Sequence, residues 1–131
     1  MIYSYSIIFY IFISLLFPVQ EIECLNCSDE NTFSVLILTE TKGYVHRSAI
    51  KAGKELINNI GNENNFNVFH SNNSSVITSE NLIDISALIF LNTTSDILNA
   101  DEQKVMENFI KGGKGFVGIH SAADTEYKWN W

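Results

Sequence analysis

The chain has 131 residues, eight basic and fifteen acidic, for a net charge of −7, which leaves room for one domain and no more. No basic surplus exists to neutralise phosphates, and this argues against nucleic acid as a partner. Hydrophobic content of 46 % against 18 % charged is slightly high for a soluble domain, and the excess sits at the N-terminus.

Residues 7–17 form a largely apolar run. It is too short to span a bilayer comfortably, and its length matches the hydrophobic region of a secretory signal peptide. Residues 1–23 are therefore expected to be a signal peptide. The lack of Lys or Arg before the run, and of a small-residue cleavage site after it, leaves an uncleaved N-terminal anchor as the alternative. Either way the protein is expected to be exported: periplasmic, extracellular or membrane-anchored, with membrane contact through this segment alone. Residues 24–32 read as a polar joint. Its Cys24 and Cys27 are spaced C-x-x-C, but they do not open a helix after a strand, as a thioredoxin-like pair would. With no further cysteine they cannot complete a zinc site either. A solvent-exposed pair, free to oxidise after export, is the expectation.

Beyond the joint, the run 33–38 (FSVLIL) reads as a buried strand. The loop TETKGYVH follows, with Gly43 as a candidate hinge. Ser48 can cap a helix to about residue 60, which carries Ile50, Gly53, Ile57 and Ile60 on one face and ends at Gly61. A short strand is expected at 66–69 and a helical turn at 79–83. The run 87–91 (ALIFL) predicts another buried strand. Asn99 and Glu102 then have capping-box spacing for a helix whose apolar face is Val105, Met106, Phe109 and Ile110, closed by Gly112 and Gly113. The final strand, 115–119, reads as a central parallel strand with both faces covered. The order β-α-β-(short α)-β-α-β implies a parallel sheet with right-handed crossovers.

In such a sheet the loops after the first, third and fourth of these strands converge on one edge, where α/β folds bind ligands. They bring Lys42, Tyr44, His46 and Arg47 together with Asn92, Thr93, Thr94 and Asp96, and with His120, Ser121, Asp124 and Thr125. His120 has the strand-to-loop position in which α/β folds place a nucleophile. An imidazole there suits a general base, a metal ligand or a hydrogen-bond partner, against the plain alternative of a packed structural histidine. His46, His120 and Asp124 make a reasonable divalent-metal set, although no H-x-x-x-H spacing supports it. His70 reads as surface. Ser121 is no partner for its neighbour His120 in a hydrolase dyad, since adjacent side chains point apart. The GGKG run precedes a strand, so it is no phosphate loop.

Three stretches taken together, TKGYVHRSAI (41–50), FLNTTSDILN (90–99) and GGKGFVGIHSAADTEYKWNW (112–131), resemble the front portion of the ThuA-like (trehalose-utilisation) domain, a branch of the class I glutamine amidotransferase-like superfamily. The resemblance covers residues 33–131. It implies an α/β fold of the flavodoxin-like kind: three αβα layers around a parallel sheet, with the C-terminal part missing. It also implies a role linked to carbohydrate. In the amidotransferases the last of these strands leads into a cysteine nucleophile. Here His120 takes that place, which excludes thioester chemistry on glutamine. By the same resemblance His46, Asn92, Thr93, His120 and Asp124 line the pocket. The expectation is that the crevice binds or transforms a sugar. His120 and Asp124 are its catalytic candidates. His46, Asn92, Thr93, Ser121, Tyr127 and Trp129 are candidates for substrate binding, with Tyr127 or Trp129 stacking on a sugar ring. A non-catalytic carbohydrate-binding module and a divalent-metal hydrolase are the alternatives. No other cofactor is implied, and oligomeric state is not readable.

Overall fold

The two apolar runs SVLIL and ALIFL form the middle of a sheet that helices cover from both sides, which is why they carry no polar alternation. The computed structural model describes residues 22–131. In chain order its elements are β1 (Glu23–Asn26), β2 (Ser34–Leu38), α1 (Arg47–Asn64), β3 (Asn67–Ser71), β4 (Ala87–Leu91), α2 (Ala100–Lys111) and β5 (Gly115–Ile119), with 3-10 turns at Ser74–Val76 and His120–Asp124. The strands lie in the order β1-β3-β2-β4-β5. β3, β2, β4 and β5 are parallel, with the 2-1-3-4 start of the flavodoxin-like winding.

Successive strand residues face opposite layers, and the core accordingly splits in two. Leu36, Leu38, Leu88 and Phe90 pack with Met106 and Phe109 of α2. Val35, Ile37, Ile89 and Leu91 pack with Ile57 of α1 and with Phe66 and Val68. α2 starts as its sequence predicts. Asn99 Oδ1 accepts from the amides of Asp101 and Glu102 at 2.9 and 3.0 Å, and Glu102 Oε2 returns the bond to the Asn99 amide at 2.8 Å.

Several expectations need correction. The stretch 24–32 is not wholly a joint, because β1 adds to the outer edge of β3, antiparallel, and makes the sheet mixed. Ile22 and Leu25 reach the two core clusters from there, which is what holds so short a strand. Glu23, assigned to the leader segment, belongs to this strand, and residues 1–21 lie outside the described part. Cys24 and Cys27 are joined as a disulfide. α1 runs past Gly61 to Asn64, and Asn65 closes it in a left-handed conformation, its amide bonded to the Gly61 carbonyl. Gly61 is there for proximity: a Cβ on it would stand 2.7 Å from Val68 Cγ2 and 3.0 Å from the Phe66 carbonyl oxygen. The helical turn falls earlier than expected, at Ser74–Val76, and residues 79–84 form a turn. Among the described residues β5 pairs with β4 on one side, and Phe116 and Val117 are 45 % and 47 % exposed. Among the described residues no helix is long and apolar enough to cross a membrane.

Candidate functional site

The loops at the carboxyl edge are tied to one another by backbone bonds. Thr41 bridges to Thr94 and Ser95 to Thr125, each in parallel fashion. The Lys42 amide donates to the Thr94 carbonyl at 3.1 Å, and the Ser95 amide to the Asp124 carbonyl at 2.7 Å. The Asn92 amide donates to the Ile119 carbonyl at 3.0 Å, which carries the β4–β5 pairing one step beyond the strands. Gly43 proves to be a point of close approach. A Cβ there would meet Ser95 Oγ at 2.9 Å and Thr94 Oγ1 at 3.0 Å, so the β2–α1 loop can lie against the β4–α2 loop only without a side chain at that position.

This edge also concentrates backbone strain. Asn92, Ser95, His120 and Glu126 all have positive φ, at 56°, 66°, 39° and 62°. Non-glycine residues rarely adopt this region, and such residues cluster at functional sites. At His120 the strand turns abruptly into the 3-10 turn His120–Asp124, which lifts the imidazole off the end of β5. His46 precedes the first residue of α1. Its ring meets that of His120 edge to face with centroids 4.8 Å apart, and Tyr44 meets His46 in the same way at 4.7 Å. Two open crevices flank the pair. One, about 650 Å³, is lined by Phe116, Gly118 and the turn carrying His120, Ser121 and Asp124. The other, about 600 Å³, is lined by the segment from Gly43 to Ser48.

The other predicted site residues divide into those that face these crevices and those that support them. Asp124 is exposed on the His120 side. Asn92 is 2 % exposed and Thr93 fully buried, and Thr93 Oγ1 is bonded to Thr125 Oγ1 at 2.9 Å. The Thr93 hydroxyl thus ties the edge together from beneath, whereas Asn92 Nδ2 is buried without a partner among the described residues. Ser121 Oγ is buried without a partner among the described residues. Trp129 is half-buried against the α2-side core and stacks on Trp131, centroids 5.3 Å apart, so its ring is committed to packing. Tyr127 is exposed. His46 and His120 come together, yet among the described residues no three His, Cys, Asp or Glu side chains group closely enough to hold a metal ion. The expected trio with Asp124 is thus not assembled.

Two contributors carry no sequence signal of their own. Tyr44 lies in the expected loop, and its 74 % exposed ring stands beside His46. Glu126 is the clamp of the edge, its carboxylate accepting from the Leu98 amide at 2.7 Å and from Gln103 Nε2 at 2.8 Å. His70, read as surface, is largely buried away from this pair. Lys54 Nζ donates to its Nδ1 at 3.0 Å, which leaves Nε2–H to donate to Thr39 Oγ1 at 2.8 Å. Burial, with the Lys54 charge beside it, pulls the His70 pKa below its ordinary value. The same Lys54, 3.3 Å from Glu23, holds that carboxyl below its usual range.

A family model described as ThuA, trehalose utilisation, matches residues 34–131, which is the whole chain from β2 onward. The chain belongs to the ThuA family. Its fold agrees with that of a ThuA-like protein from Bacteroides uniformis, to which it is similar with a TM-score of 0.63 at 19 % identity, over 81 % of this chain and 43 % of that one. The chain thus spans less than half the length of that relative. No curated protein matches the sequence. The family is described by trehalose utilisation, which supports a general carbohydrate-related role.

Proposed function

We propose that this ThuA domain binds a sugar or sugar derivative at the edge where His46 and His120 meet, and that His120 takes up or delivers a proton at a sugar oxygen. The observation that carries the reading is the edge-to-face contact of the two imidazoles, with His120 held on a left-handed turn at the end of β5. An imidazole carries both a proton donor and a proton acceptor on one ring, which suits it to general acid or base work at a sugar oxygen. The exposed Tyr44 ring supplies an apolar face for the C–H side of a sugar, and Asp124 supplies a hydroxyl acceptor. Thr93 and Glu126 are positioning residues that fix the loops.

The test is trehalose titrated into the full chain by calorimetry, with product release followed in parallel by chromatography. Replacing His120 by Ala is expected to abolish turnover, and replacing Tyr44 by Ala to weaken binding. Binding with no turnover in the unaltered chain would favour the carbohydrate-binding module. Binding and turnover both indifferent to His120→Ala would overturn the proposal. Export belongs to the same reading. The apolar run 7–17 supports it, and so does the Cys24–Cys27 disulfide, a bond that persists in oxidising compartments.

A further inference from the structure

A cavity of about 790 Å³ lies to one side of the histidine pair, beyond the ends of β2 and β3 and against the first turns of α1. α1 lines it with Arg47, Lys51 and Lys54, spaced so that all three share one helical face. That is unexpected in a chain of net charge −7, which has eight basic residues in all. The first turn of α1 holds no carboxylate to neutralise them. Two carboxylates do border the cavity. Glu40 accepts from the Ser74 backbone amide, which ties it to the 3-10 turn. Glu55 stands on the helix itself, and among the described residues it forms no ion pair with Lys51 or Arg47. Lys54 is engaged by Glu23 and His70. Arg47 and Lys51 remain, two cations without a counter-ion among the described residues. The exposed Asn72 side chain adds a neutral polar group at the border.

We propose that this cavity is a second site, which binds a small organic oxyanion, with Arg47 and Lys51 holding the anionic group. A guanidinium matches the two-oxygen edge of a phosphate or carboxylate, and an ammonium adds a point charge. The volume exceeds that of a bare phosphate and leaves room for the organic body of a phosphate ester or a carboxylic acid. Arg47 and Val45 also border the His46 crevice, so Arg47 stands at the rim between the two sites.

The experiment is a nitrogen–proton correlation titration of the full chain with inorganic phosphate, at ionic strength held constant with chloride. A sugar phosphate and a sugar carboxylate are titrated as parallel arms. Saturable shifts confined to residues 39–55 and Asn72 are expected. The double substitution Arg47→Gln, Lys51→Gln should weaken them at least about tenfold, the scale of a lost charge-assisted contact, and Lys51→Arg should keep most of the affinity that Lys51→Gln loses. Both replaced side chains are exposed, so the fold is not at stake. Whichever arm binds more tightly assigns the anion. His120→Ala is expected to leave the titration unchanged, which separates this site from the sugar reading. Absence of saturable shifts with all three probes, or an affinity unaltered in the double variant, overturns the proposal.

Discussion

Replacing Gly61 by Ala should destabilise the protein, although the general rule for a helix interior predicts the reverse. In the middle of a helix, Ala is favoured over Gly by about 1 kcal/mol. Gly61 is buried where α1 crosses β3, and a Cβ there would lie 2.7 Å from Val68 Cγ2, 3.0 Å from the Phe66 carbonyl oxygen and 3.3 Å from Phe66 Cε2. Val68 is fully buried and branched at Cβ, so its methyl has nowhere to turn. The carbonyl is main chain and cannot rotate away without moving β3. Overpacking of this kind costs about 1–3 kcal/mol, and the immovable obstacles place Gly61 towards the upper half. Subtracting the helical gain leaves a net loss of about 1–2 kcal/mol. With a urea slope of about 1.5 kcal/mol per molar, the midpoint should fall by roughly 1 M. Gly53→Ala is the matched comparison. Its obstacles are the Leu91 methyls at 2.7 and 2.9 Å, at the end of a side chain that can change rotamer, so it should cost less. Urea unfolding of the full chain followed by circular dichroism measures both. An unchanged or raised midpoint for Gly61→Ala at unaltered slope would refute the reasoning.

Asn99→Ala removes the acceptor of two amide bonds at the start of α2 and should cost about 1–2 kcal/mol in the same urea assay. Glu126→Ala frees the Leu98 amide and Gln103 and should loosen the loop after β4, read as faster amide hydrogen exchange at residues 95–98 with little change in α1. Acid should weaken the fold in two steps. The His70 pKa is lowered on folding, so the unfolded chain binds more protons, and stability declines as pH falls below the ordinary value of 6.5. Glu23, lowered from 4.5, adds a second decline below that pH as its carboxylate protonates. Urea midpoints between pH 8 and 4 check this; in His70→Gln the upper step should vanish and the lower one remain.

Much of the architecture could be read from the sequence because burial on two faces writes an uninterrupted apolar run, as in SVLIL and ALIFL, and because Asn99 and Glu102 carry a local capping code. What escaped depends on partners far away in the chain. β1 is four residues of mixed character, ECLN, and is a strand because β3 offers it an edge. Gly61 carries the same letter whether it ends a helix or lets a strand come close. His70 is buried by Thr39 and Lys54, which no spacing in its own neighbourhood announces. At the candidate site, topology sufficed to bring the three loops together. It could not say that Thr93 would turn inward to Thr125, that Trp129 would join the core, or that Tyr44 and His120 would both meet His46.

The sequence contains three histidines, and the fold puts two of them in the proposed site and the third beside Lys54. Imidazole-selective nitrogen–proton spectra of the full chain, recorded as trehalose is added, therefore carry their own control. The account predicts saturable shifts of the His46 and His120 rings with the His70 ring unmoved. Rings of His46 and His120 that stay still at saturating sugar, or all three moving alike, would contradict it.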